Sequence, residues 1–137
     1  MKTYSKFFIL LSTLLVLCFN NTLSQDTLKT GKRVTADMII DNLLEGIKSE
    51  NEGLKVSSSY YLGEREADKA LIPLMSILHN DKLEEARIMA ALSLFKIGDE
   101  RGLFAVKNAA EEDQSQIVRR MCAIFYRMHL EREKKKE

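Results

Sequence analysis

The chain of 137 residues has no tryptophan, one proline, two cysteines and two histidines. With Pro73 alone to interrupt helices, and no stretch of alternating apolar and polar residues, nothing supports a sheet or barrel. The histidines, His79 and His129, have no carboxylate or thiol at metal-ligand spacing, which argues against a metal site. Ser57-Ser58-Ser59 has no histidine nearby and no strand-to-helix turn, so it does not read as a nucleophile. Gly63, Gly98 and Gly102 fall at helix ends and form no phosphate-cradling loop. No catalytic, metal-binding or cofactor-binding residue is therefore assigned.

Charge is equally restrained, with 21 basic and 20 acidic residues. A nucleic-acid binder would show a basic excess concentrated on one face. The two cysteines are Cys18, in an N-terminal apolar run, and Cys122, so an exported mature chain would hold Cys122 alone. A lone thiol in an oxidising compartment is either buried or pairs between chains. The small-residue setting of Cys122 favours burial.

The N-terminus carries Lys2 and Lys6, then an apolar run from Phe7 to Phe19, then Asn20 to Gln25. A basic start, a short apolar core and small residues at Thr22 and Ser24 have the form of a secretory signal peptide over residues 1–24, cleaved after Ser24. The rival reading is a retained anchor, but the run spans about 13 residues, short of the roughly 20 that cross a bilayer. A lipoprotein site at Cys18 would place the large Leu17 just before it. Loss of Lys2 and Lys6 leaves 19 basic residues against 20 acidic ones. The expected location is the periplasm or the extracellular medium, as a soluble domain without a membrane contact of its own.

Beyond this segment, residues 25–35 are polar and read as a flexible lead-in. Thr35-Ala36-Asp37 supplies an N-cap and an acid for a first helix, with Ile39, Ile40, Leu43, Leu44 and Ile47 at helical spacing and a stop at Asn51-Glu52-Gly53. Five more helices follow: Leu54 to Arg65, with Leu54, Ser58, Tyr61 and Leu62 on one face; Asp68 to His79; Leu83 to Ile97; one from an Asp99 cap to Ala110; and one from Asp113 to about Leu130. Arg132 to Glu137 reads as a frayed, charged tail.

These helices repeat. Lys55, Arg87 and Arg119 stand 32 residues apart; Ser58, Ala90 and Cys122, all small, follow each by three, and Leu62, Leu94 and Tyr126, all bulky, by seven. A fixed period of this size marks stacked helical repeats, which present surfaces to partners. Arg87 and Arg119 are expected to contact acids in the repeat loops.

The middle unit, Arg87-Ile88-Met89-Ala90-Ala91-Leu92-Ser93-Leu94-Phe95-Lys96-Ile97-Gly98-Asp99 followed by Leu103 and Val106, resembles a HEAT-type repeat, in particular the short variety of phycobilisome-lyase-like HEAT proteins. In the first unit Lys55 replaces the arginine and Glu66 the glycine; in the last, Leu130 stands where the glycine would be. The resemblance covers residues 36–131. It implies an all-α fold, a short right-handed α-solenoid of about three antiparallel helix pairs, used as a scaffold or adaptor for proteins or peptides. The histidine–glutamate pairs of HEAT-type hydroxylases are missing, and no residues for bilin attachment can be located.

On the second helix of each pair, the positions one, five and eight beyond the cation register read Val56, Tyr60, Gly63; Ile88, Leu92, Phe95; and Arg120, Ile124, Arg127. They lie away from the core stripe and are the candidate protein-binding row, an apolar floor with an arginine end. The competing reading packs these side chains inside the stack. Self-association through Met121, Phe125 and Tyr126 is the alternative function, and an accessory role beside an enzyme a distant one.

Overall fold

The computed structural model describes residues 35–136; the expected signal peptide and nearly all of the lead-in lie outside them. Among the described residues there are six α-helices and no strand. Helix α1 (Ala36–Gly46) is capped by Thr35, whose hydroxyl accepts the Met38 N–H at 3.3 Å. Helix α2 spans Glu52–Glu64, and a 3-10 turn at Asp68–Ala70 leads into α3 (Leu71–Asn80). Helices α4 (Glu84–Ile97), α5 (Glu100–Glu112) and α6 (Gln116–Lys134) complete the domain.

Three expected boundaries move, each for a local reason. Asn51 does not end α1 but caps α2, its side-chain oxygen accepting the Leu54 N–H at 2.9 Å; Gly53 then lies inside the first turn. Asp113 does not open α6. Ser115 does, accepting from Ile117 and Val118, because Asp113 is engaged elsewhere. The last helix also continues past Leu130 to Lys134, so the first three residues of the expected charged tail are helical. On α2, Leu54 and Tyr61 are about half exposed and only Ser58 and Leu62 of the expected face are buried.

Each first helix packs on the second of its pair, α1 on α2, α3 on α4 and α5 on α6. The second helices adjoin one another, α2 against α4 and α4 against α6, while α3 also meets α5. The core between these layers is built from Leu62, Leu74, Leu94, Val106, Val118 and Cys122, all without solvent exposure. Burial pushes the Cys122 thiol up to about 12, which leaves it protonated and inert at neutral pH.

Small residues set the spacing. A Cβ on Gly63 would stand 2.6 Å from the Ser93 Cα, and one on Gly46 would stand 2.1 Å from the Ser58 hydroxyl oxygen. Ser59 and Ser93 are buried at the same seam, and the Ser93 hydroxyl donates to the Ser59 carbonyl at 2.7 Å. The serine run is thus helical: Ser58 and Ser59 allow close approach, and the Ser59 hydroxyl donates to the Lys55 carbonyl at 2.9 Å within its own helix.

Candidate functional site

A ladder of polar contacts holds the second helices in register. Ser49, Asp81 and Asp113, spaced by 32 residues, begin equivalent turns, each side-chain oxygen accepting the N–H two residues on: Asn51 at 3.1 Å, Leu83 at 2.9 Å and Ser115 at 2.8 Å. Six residues after each comes the repeat cation. The Lys55 ammonium reaches Asp81 Oδ2 at 2.7 Å. Arg87 uses Nε and Nη2 on the two oxygens of Asp113, at 2.8 and 2.9 Å, and Nη1 on the Asp81 carbonyl at 2.9 Å. Arg119 repeats the last contact, donating Nη1 to the Asp113 carbonyl. The expected contact with a loop acid is made by Arg87, whereas Arg119 reaches, among the described residues, only the backbone carbonyl of Asp113.

The Arg87–Asp113 pair is nearly solvent-free, with side-chain exposures of 3% and 7%. Burial alone would raise the Asp113 carboxyl, but Arg87 and the Ser115 N–H outweigh it and hold the group below the ordinary carboxylate range. Asp81 is lowered in the same way: burial opposes ionisation, and Lys55 with the Leu83 N–H overcomes it.

The family comparison agrees with this architecture: the profile described as HEAT repeats matches residues 40–125. The chain belongs to the HEAT-repeat family. No curated protein matches it significantly. HEAT repeats generally serve as scaffolds for protein interaction.

Within this HEAT stack the candidate row divides. Ile88, Leu92 and Ile124 are half-buried and pack on the core with one side, Val56 is also half-buried, Tyr60 is 36% exposed and Arg120 is exposed. These six positions, one and five beyond the register, lie on adjoining helices. The third column does not belong with them. Gly63 backs onto Ser93, Phe95 is only 5% exposed and stacks on Phe125 with ring centres 6.2 Å apart, and Arg127 is exposed. The eighth position turns far enough round the helix to enter the seam with the following repeat. Phe95 is therefore core, further roofed by the Arg132 guanidinium 4.4 Å from its ring centre. Phe125, buried in the same stack, offers little to a second copy.

Three contributors were missed. Lys96 pairs with Glu64 and lies 5.0 Å from the Tyr60 ring centre, fixing that ring at the edge of the row. Met89, one period before the Met121 of the self-association alternative, is half-buried on α4 and adds adaptable apolar surface. On the first helices Ile72 and Phe104, also one period apart, are 62% and 63% exposed. The 32-residue register pairs each of these, so the signal was present in the spacing.

A cleft of about 490 Å³ lies between α3 and α5, away from the row, beside His79, Asn108, Glu112 and the Arg87–Asp113 pair. Its two most buried charges neutralise each other, and its lining contains no hydroxyl, thiol or amine nucleophile. Among the described residues no three His, Cys, Asp or Glu side chains cluster to hold a metal ion, and no helix is long and apolar enough to cross a membrane.

Proposed function

We propose that this HEAT-repeat chain is an exported scaffold or adaptor that binds a protein or peptide on the concave face lined by its second helices. In this reading the helix pairs are antiparallel and form a short right-handed solenoid whose concave floor carries Val56, Tyr60, Ile88, Leu92 and Ile124, with Arg120 at one end. The observation that supports it is α4, which is apolar on both faces: Leu94 and Ala90 are fully buried, while Ile88 and Leu92 on its other side stay half open. A helix with two apolar faces needs a second neighbour. Export rests on the run from Phe7 to Phe19 and the small residues before Gln25; an intact mass of exported protein starting near Gln25 tests it, and one starting at Met1 sinks it.

The binding test compares Leu92→Ala with Leu94→Ala. Truncating Leu94 should cost about 2–5 kcal/mol of stability, as burial is lost and a cavity opens. Truncating Leu92 should shift the melting temperature far less yet remove partners captured by crosslinking in the native exported fraction. If both variants lose only stability, the floor is ordinary packing and the reading fails.

A further inference from the structure

The seam that joins one repeat to the next is a stripe at four-residue spacing. On α2 it runs Lys55, Ser59, Gly63, and on α4 it runs Arg87, Ala91, Phe95; in both cases the middle and last residues are buried by the next second helix. The same stripe on α6 runs Arg119, Ala123, Arg127. Here Arg119 is half-buried, while Ala123 and Arg127 are exposed, and no described residue lies over them. The surface is thus the continuation of an interface the chain has already built twice.

The geometry of Arg119 gives this surface a chemistry. Its Nη1 is fixed on the Asp113 carbonyl as Arg87 Nη1 is fixed on the Asp81 carbonyl. In Arg87 the remaining edge, Nε with Nη2, grips both oxygens of a loop carboxylate. In Arg119 that edge has no partner among the described residues, although the guanidinium is anchored at the same register position. Two turns further on, Arg127 stands where Gly63 and Phe95 meet the neighbouring repeat. Eight helical residues separate the two guanidinium groups, about 12 Å along the axis. Charge around them is one-sided: residues 116–136 hold seven basic and two acidic side chains.

We infer that the Arg119–Ala123–Arg127 face of α6 is a docking site for an acidic helical segment of another protein. The segment carries one carboxylate in the turn before its helix, which takes the Arg119 fork, and a second about 12 Å further on for Arg127, with small residues between them to allow close approach over Ala123. A second copy of this chain does not meet that description. Ser49 holds the place of Asp81 and Asp113 in its first loop, and Leu54 and Tyr61 stand open where a small surface is required.

A synthetic peptide of residues 81–97 bearing Ser93→Glu, at the position that meets Gly63 in the existing seam, supplies both carboxylates and the small Ala86 and Ala90. Titrated into the full chain, it should move the Arg119 and Arg127 Nε–H resonances in nitrogen-15 NMR spectra in a saturable way. The Asp81→Asn version of the peptide should bind at least tenfold more weakly. Arg119→Lys in the protein, which keeps the charge and loses the fork, should weaken binding similarly, with melting temperature as the check on folding. Leu92→Ala should leave the titration unchanged, so failure of the concave-floor reading would not be mistaken for failure of this one. No shift at 1 mM peptide overturns the inference. So do equal binding of the amide peptide, and a dimer in light scattering that Arg119→Lys disrupts.

Discussion

Glu66 has a backbone φ of 48°, the one non-glycine residue with positive φ among those described. It ends α2 where the next repeat uses Gly98, at φ 76°. The turn closes as a Schellman motif, with the Ala67 N–H on the Leu62 carbonyl at 3.1 Å and the Glu66 N–H on the Gly63 carbonyl at 3.0 Å. A side chain in this left-handed region costs about 1–2 kcal/mol, part of which glycine returns as chain entropy. Glu66→Gly should therefore stabilise the domain by up to about 1 kcal/mol, and Gly98→Ala should destabilise it by about as much, both measured in urea melts. Asp113 carries a larger consequence. Its folded carboxyl is held below its unfolded value, so its contribution is full above about pH 4 and is lost as pH falls through the folded value. Asp113→Asn leaves the Arg87 charge buried without a counter-ion and should cost about 3–5 kcal/mol at pH 7. The variant should also lose much of the wild type's fall in urea midpoint between pH 4 and pH 2.5. A variant curve parallel to wild type would mean that the pair does not drive acid unfolding.

Helix existence was legible because each element carries an apolar face at helical spacing, and the small positions Ser58, Ala90 and Cys122 were legible because the period aligned them. Boundaries were less so, since Asn51 and Asp113 are good cap residues for either neighbouring element, and the choice depends on which backbone N–H lies in reach. The candidate row failed at its third column for a related reason. The eighth position lies about 60° back round the helix from the fifth, toward the fourth-position residues Ser59 and Ala91, so a column assigned to the open side falls at the edge of the seam instead. Nothing in the sequence distinguished Phe95 from Leu92 until the neighbour α6 was in place. Gly63 and Ser93 show how tightly that seam is drawn. An alanine at position 63 gains helix propensity of about 1 kcal/mol, yet its Cβ meets the Ser93 backbone and forces α2 from α4. The clash should win, and Gly63→Ala should destabilise by about 1–3 kcal/mol. A stabilised variant in thermal melts would show the seam to be looser than the structure places it.

For the molecule as a whole, the stack gives its helices unequal numbers of neighbours. Helix α4 packs against α2, α3, α5 and α6, whereas the main packing partner of α1 among the described residues is α2 alone. Nearest-neighbour coupling of this kind makes stability additive along the repeats, so the centre opens only when the domain unfolds and an end can open by itself. The side chains agree. Helix α4 buries Ala86, Ala90, Ala91, Leu94 and Phe95, and Arg87 ties it to both flanking loops, while the only residue of α1 that is buried is Gly46. The ion contacts of α1 with Lys69, from Asp37 and Asp41, lie in solvent at 3.4 and 3.6 Å and add little. Amide hydrogen exchange should therefore rank α4 slowest, at the protection set by global unfolding, and α1 fastest of the six helices. Leu94→Ala should lower the protection of α4 by the full loss of global stability while leaving the exchange of α1 nearly unchanged, because α1 already opens by a local route. If α1 and α4 instead exchange at the same rate in wild type, and respond equally to Leu94→Ala, the three helix pairs unfold as one unit and the nearest-neighbour description does not hold for so short a stack.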